Sequence, residues 1–146
     1  MILRRLKNRL KLHKSLSLNQ SDKSGRWGER QAERLLKKKG ICVLGRRIRV
    51  GKRDEFDLIA RDGQVLVFVE VKTRKNTTFG RPIEAVNKSK RHALSRAAVR
   101  YLKKLKKPPA AFRFDVVEVI GTSDNCHPEI HHIENAFQLE KQYRIP

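Results

Sequence analysis

Asp57, Glu70 and Lys72 could do chemistry together if a hairpin brought them onto one face of a sheet. The segment reads Asp54-Glu55-Phe56-Asp57-Leu58-Ile59-Ala60-Arg61, then Asp62-Gly63, then Gln64 to Lys72. Asp-Gly between two strand-like runs predicts a hairpin with a type I′ turn. Pairing Arg61 with Gln64 sets Asp57 opposite Phe68 and Glu55 opposite Glu70. Side chains alternate along strands, so Glu55, Asp57 and Ile59 share a face with Leu66, Phe68, Glu70 and Lys72. Carboxylates crowded across a ladder repel one another, and a bound cation would hold them. Hard cations such as Mg²⁺ or Mn²⁺ prefer oxygen ligands. Asp57, Glu70 and the backbone carbonyl of Val71 would supply them, with Lys72 beside the attacking water. That set suits metal-assisted cleavage of a phosphodiester. The competing reading is a charge network that is solvated or satisfied internally.

The elements that must position these groups follow from periodicity. Residues 27–39 are helical, with Gly28, Ala32, Leu35 and Leu36 on one stripe and Gly40 as the C-cap. Glu29 falls nearer that stripe than Glu33, so it is either a member of the site or an acid favouring the helix dipole. Residues 41–49 form a first strand, and the hairpin strands follow. Residues 75–82 are a loop. A long helix begins at Ile83 or Asn87 and runs to Leu105, burying Leu94, Ala97, Ala98, Tyr101, Leu102 and Leu105. Pro108-Pro109 ends it. Residues 112–120 and 129–137 are further strands, and Arg113 with Asp115 makes a structural ion pair. This order predicts an α/β domain with one mixed sheet flanked by helices.

The chain has 146 residues, with 35 Lys+Arg against 15 Asp+Glu. That length suits one domain. The charge favours a polyanionic partner, first of all nucleic acid, with a ribosomal or anionic-membrane role as the competitor. Nine Lys/Arg and no acid lie between Asn87 and Lys107. Arg96, Arg100, Lys103, Lys104 and Lys107 form the phosphate-facing side of that helix. No apolar stretch is long enough to span a membrane, so integral membrane association is not expected. Cys42 and Cys126 give no disulfide framework, which points to the cytoplasm. Residues 1–24 hold seven Lys/Arg and one acid and read as a flexible basic extension before a domain over 25–146. A nucleic-acid arm, a lipid-surface helix and a transit peptide are the alternatives for that extension.

Other constellations carry little. Cys126, His127, His131 and His132 match no zinc spacing. Ser89, Ser95 and His92 lack an orienting carboxylate, so no serine triad is expected. Trp27 and Tyr101 read as core residues.

Five motifs occur in order: Gly28-Glu29-x-x-Ala32, Asp54 to Ile59, Val67 to Arg74, Phe79-Gly80-x-Pro82-x-Glu84-Ala85-Val86, and Arg113 to Val117. Together they resemble the YraN-like family of uncharacterised bacterial proteins. That family is similar to the Holliday junction resolvases of the PD-(D/E)xK nuclease superfamily. The resemblance implies a restriction-endonuclease-like fold and a Mg²⁺-dependent DNA endonuclease, acting on branched or structured DNA in recombination or repair. It also implies Glu29, Asp57, Glu70 and Lys72 as the catalytic set, and a homodimer as one arrangement, since two symmetric nicks need two sites. Lys90 matches a polar helical position near the site. Lys90 and Arg74 join the nucleic-acid-binding set. Asp54 and Phe56 depart from the usual Gly-Glu-Ile-Asp start of the hairpin motif. A fold that binds nucleic acid without cutting it is the alternative.

Overall fold

The computed structural model describes residues 20–76, 86–124 and 127–143. Its elements are α1 (Gln20–Lys38), β1 (Cys42–Val50), β2 (Asp54–Asp62), β3 (Val65–Arg74), α2 (Lys88–Lys104), β4 (Ala111–Ile120) and β5 (Glu129–Phe137). The five strands form one mixed sheet in the order β1-β2-β3-β4-β5. Only β3 and β4 are parallel, joined by the crossover that contains α2. This is the expected α/β architecture, consistent with a restriction-endonuclease-like domain. Residues 1–19, most of the loop after β3, and Cys126 lie outside the described residues.

Each helix covers one face of the sheet. Trp27, Ala32 and Leu36 of α1 pack on Leu58, Ala60, Val67, Val69, Val117 and Val119. Leu94, Ala97, Ala98 and Leu102 of α2 pack on Phe56, Ile59, Leu66, Phe68, Phe114 and Val116. β3 is buried from both sides, which is why Val65 to Val69 is a continuous apolar run rather than an alternating one. Phe68 is the hub of the α2 side. Its ring stacks on Phe56 at 4.6 Å and meets Tyr101, Phe112 and Phe114 edge-on or tilted. That cluster fixes β3 two residues before Glu70.

α1 begins at Gln20, earlier than the periodicity indicated. Gly28 explains how it seats: a Cβ there would stand 1.9 Å from Thr73 Oγ1. The missing side chain lets the helix rest on the end of β3 and brings Glu29 beside the hairpin. Asn87 caps α2 by accepting a hydrogen bond from the Lys90 N–H at 2.9 Å.

The hairpin register differs from the sequence expectation by two residues. Asp62 pairs with Val65 and Ile59 with Phe68. The turn is therefore Gly63-Gln64, not Asp62-Gly63. Gly63 has φ +58 and no positive φ occurs at Gln64, the pattern of a type II′ rather than a type I′ turn. One left-handed residue suffices, so Asp62 stays in the strand and accepts a hydrogen bond from Arg113 at 2.9 Å. A shift of two preserves which face each side chain takes. It moves Asp57 from opposite Phe68 to opposite Glu70, and Glu55 away from Glu70.

Candidate active site

The β2–β3 ladder stops at Leu58↔Val69, although both strands continue. Beyond it, β2 stays paired with β1 alone and β3 with β4 alone. The sheet forks there, and Asp57 and Glu70 are the first residues past the fork. The Val71 N–H, freed from the ladder, donates instead to Asp57 Oδ2 at 2.8 Å.

Arg47 marks the same place on β1. Continuing the pairs Arg46↔Leu58 and Ile48↔Phe56, it stands opposite Asp57, with a left-handed φ of +47. This kink turns consecutive residues to one side: Arg46 reaches Glu33 and Arg47 reaches Glu29, both on α1. The partner strand changes face at the same point, with Phe56 in the α2-side core and Leu58 in the α1-side core. Such irregularities re-aim side chains beside sites.

The electrostatics are unbalanced. Glu70 is 5 % exposed, and its Oε1 has Lys72 Nζ and Lys90 Nζ each at 3.5 Å. Its Oε2 is buried with no hydrogen-bond partner. Burial first, and then the negative charge of Glu70, push the Asp57 carboxyl up to about 7, against the pull of the Val71 N–H and the Lys90 ammonium. Two acids thus face each other, and a hydrogen bond between them adds to the raising of Asp57.

An orphaned carboxylate oxygen beside a second acid fits a hard divalent cation, which takes oxygen ligands and keeps several waters. Asp57 and Glu70 would hold it, with the Val71 carbonyl as the backbone ligand expected from sequence. Among the described residues no group of three His, Cys, Asp or Glu side chains is placed to hold a metal ion. Water and substrate phosphate would therefore complete the shell.

Glu29 does not join that pair. It accepts from Arg47 Nε at 2.9 Å. Burial, the largest influence, raises its carboxyl above the ordinary range, and the charges of Asp57 and Glu55 add to that while Arg47 opposes it. It borders the site as the partner of the arginine opposite Asp57. Glu33, expected to lie further from the buried stripe, is the more buried of the two, its side chain 8 % exposed against 15 % for Glu29. Arg46 and Lys37 close over it, and the Arg46 hydrogen bond first of all holds its carboxyl below the usual value. A helical wheel shows no such cover.

Several cations assigned to nucleic acid are bound within the protein. Arg96 forks onto Asp54 at 2.7 and 2.9 Å. Arg74 pairs with Glu118 at 3.0 Å, and Lys90 points to Glu70. The Arg100 guanidinium lies over Gly51, where a Cβ would meet it at 2.6 Å. Lys103, Lys104 and Lys107 are exposed. Arg46 and Arg47 were not singled out in the sequence, since only the kink turns both toward α1.

Asp115 forms a different buried centre. Arg113 donates to both its oxygens at 2.9 and 3.1 Å, and the Asn135 N–H donates at 3.0 Å. His132 Nε2 stands 2.8 Å from Oδ2, and Lys39 Nζ 2.8 Å from His132 Nδ1. An ammonium can only donate, so Nδ1 accepts and Nε2 carries the proton to Asp115. His131 points the other way, to Glu129. The two histidines diverge, as expected for a strand.

The chain matches Uncharacterised protein family UPF0102 over residues 28–119. It is 46 % identical over 121 residues to a UPF0102 protein of Geotalea daltonii, covering 83 % of this chain and 94 % of that one. A UPF0102 protein of Caldicellulosiruptor saccharolyticus is 42 % identical over 113 residues, covering 77 % and 95 %. One from Desulfosudis oleivorans is 43 % identical over 122 residues, covering 82 % and 94 %. No helix among the described residues is long and apolar enough to cross a membrane.

Proposed function

The chain belongs to Uncharacterised protein family UPF0102, and from that premise and the forked carboxylates we propose that it is a Mg²⁺- or Mn²⁺-dependent DNA endonuclease. Glu70 Oε2 carries the reading: a buried, unpartnered oxygen facing a second acid calls for a cation. The net charge of +20 supplies attraction for the polyanionic substrate. Branched or structured DNA of recombination or repair is the substrate class the family resemblance supports, and a cytoplasmic homodimer the form.

When bound, the metal supplies Lewis-acid polarisation of the phosphate and an acidified water. The protein's own groups do the rest. Asp57 is held in place by the Val71 N–H, which fixes one carboxylate before substrate arrives. Lys72 and Lys90 converge on Glu70 from β3 and α2. With Glu70 serving as a metal ligand, both ammonium groups would be free to meet the phosphate. Lys72 then orients the attacking water and Lys90 faces a non-bridging oxygen, stabilising charge that grows as the phosphorus–oxygen ester bond breaks.

The test is cleavage of branched, duplex and single-stranded DNA with Mg²⁺ or Mn²⁺. Wild type should cut, while Asp57→Asn and Glu70→Gln should lose activity by at least about a hundredfold and keep their affinity for DNA in EDTA. Intact substrates of every kind with wild type would sink the proposal. One observation favours a second reading, a nuclease fold that binds without cutting. Lys72 and Lys90 already neutralise one oxygen of Glu70 without metal. Binding that falls with salt and ignores divalent ions is its signature.

A further inference from the structure

α2 was the basic helix of the sequence, but two of its three arginines turn toward the protein's own acids, while Arg100 is exposed. Arg91 approaches Glu140 at 3.9 Å, and Arg96 is clamped by Asp54. α1 is arranged in the opposite way. Lys23, Arg26, Arg30 and Arg34 recur three or four residues apart, so they share one helical face. All four are exposed. They span about 16 Å of helix at 1.5 Å per residue.

Two cavities meet on this face. One, of about 400 Å³, lies between α1 and β1 and includes Arg26, Arg30, Arg46 and Arg47. The other, of about 540 Å³, lies between the start of α1, Lys75 after β3, and residues 122–124. Arg26 and Arg30 line both, so the two adjoin at that pair as the arms of a trough on either side of it. Six cationic side chains line it against three acids, and two of those acids, Glu29 and Glu33, are already paired with Arg47 and Arg46. Its near bank begins where β3 leaves the site, since Gly28 of α1 rests on Thr73, the residue after Lys72.

We infer that this trough, not the exposed side of α2, is the track for the phosphodiester backbone of the nucleic acid. It rests on the nucleic-acid substrate proposed above and adds where that substrate lies. Arg26 and Arg30 grip successive phosphates, and Lys23 and Lys75 flank them, while Arg46 and Arg47 stay on Glu33 and Glu29 and form the wall behind. Open arginines beside a focusing cleft suit a polyanion, whereas arginines already forked onto carboxylates cannot take phosphate without breaking those pairs.

The experiment is fluorescence anisotropy with a labelled DNA duplex in EDTA, over about 50 to 200 mM salt. Arg26→Ala/Arg30→Ala is compared with Lys103→Ala/Lys104→Ala on α2. Neither pair lies in the carboxylate site, and matched thermal melts confirm folding. The first variant should lose affinity about tenfold or more, and its log–log salt slope should flatten by about two. The second should change little. An unchanged Arg26→Ala/Arg30→Ala overturns the inference, as does a larger loss in the α2 variant. Because no metal is present, loss of binding in the α1 variant stands even if wild type never cuts. A failed cleavage assay would then count against the nuclease reading alone.

Discussion

Asp115 and Glu70 sit on neighbouring parallel strands, one residue out of step, and both are buried. Their surroundings are opposite. Burial alone would raise the Asp115 carboxyl, but donors from His132, Arg113 and Asn135 overcome that and hold it below its ordinary value. Glu70 faces Asp57 with one oxygen unpartnered, and the Asp57 carboxyl is raised. Asp115 and Glu70 are both buried, and the supply of donors differs. A satisfied buried acid ties strands together, whereas a starved pair costs stability and suits function. The contrast separates a structural knot from a candidate site on the same sheet.

The largest expected effect falls on the knot. Asp115→Ala should destabilise the protein by about 3–5 kcal/mol in urea unfolding, because it leaves the buried His132 and the Asn135 N–H without their acceptor and Arg113 with Asp62 alone. A loss under about 1 kcal/mol would show that the knot is no knot. Next comes metal. At 100 times its Kd, Mg²⁺ should stabilise wild type by about 2.7 kcal/mol and should leave Asp57→Asn/Glu70→Gln unmoved. Equal stabilisation of both would place the ion elsewhere.

Titration should then give slopes of opposite sign. A raised Asp57 binds its proton more tightly folded than unfolded, so in EDTA its contribution to stability is lost as pH rises from about 4 to about 7. Asp57→Asn should gain on wild type across that window. The lowered Asp115 contributes stability that is present above about 4 and is lost as pH falls through its folded value. A wild-type-minus-variant difference that stays flat with pH for both Asp57→Asn and Asp115→Ala would erase the contrast. The smallest effect is Glu70→Gln in EDTA near neutral pH, which should be neutral to about 1 kcal/mol stabilising, since it removes a like-charge contact. A marked destabilisation would mean that Lys72 and Lys90 already satisfy this acid.

Pattern and turn chemistry made the elements legible. The residues around Phe68 and Leu94 showed their faces, Asn87 and Pro108 bounded the second helix, and the last strand was read at its observed ends. The hairpin itself was visible, and the parity of Asp57 and Glu70 survived a register error of two. That error arose because Asp62-Gly63 and Gly63-Gln64 both place a glycine where one turn type needs it. What stayed hidden depends on tertiary contacts. No local pattern forces Arg47 to a positive φ, and His132 lies 17 residues from Asp115. Arg96 of α2 looked free because Asp54 lies 42 residues away in sequence.

The fork at Leu58 and Val69 makes the site a caliper. One jaw, carrying Asp57, is braced by β1, and the other, carrying Glu70, is braced by β4. The gap between the acids is therefore gauged by the twist between two strand pairs rather than by a loop. Repacking the core beneath either jaw, at Phe56 or at Val116, would reset that gauge without touching a charged residue. Selection acting on oil-filled layers could in this way retune which ion, or which backbone curvature, the jaws close upon.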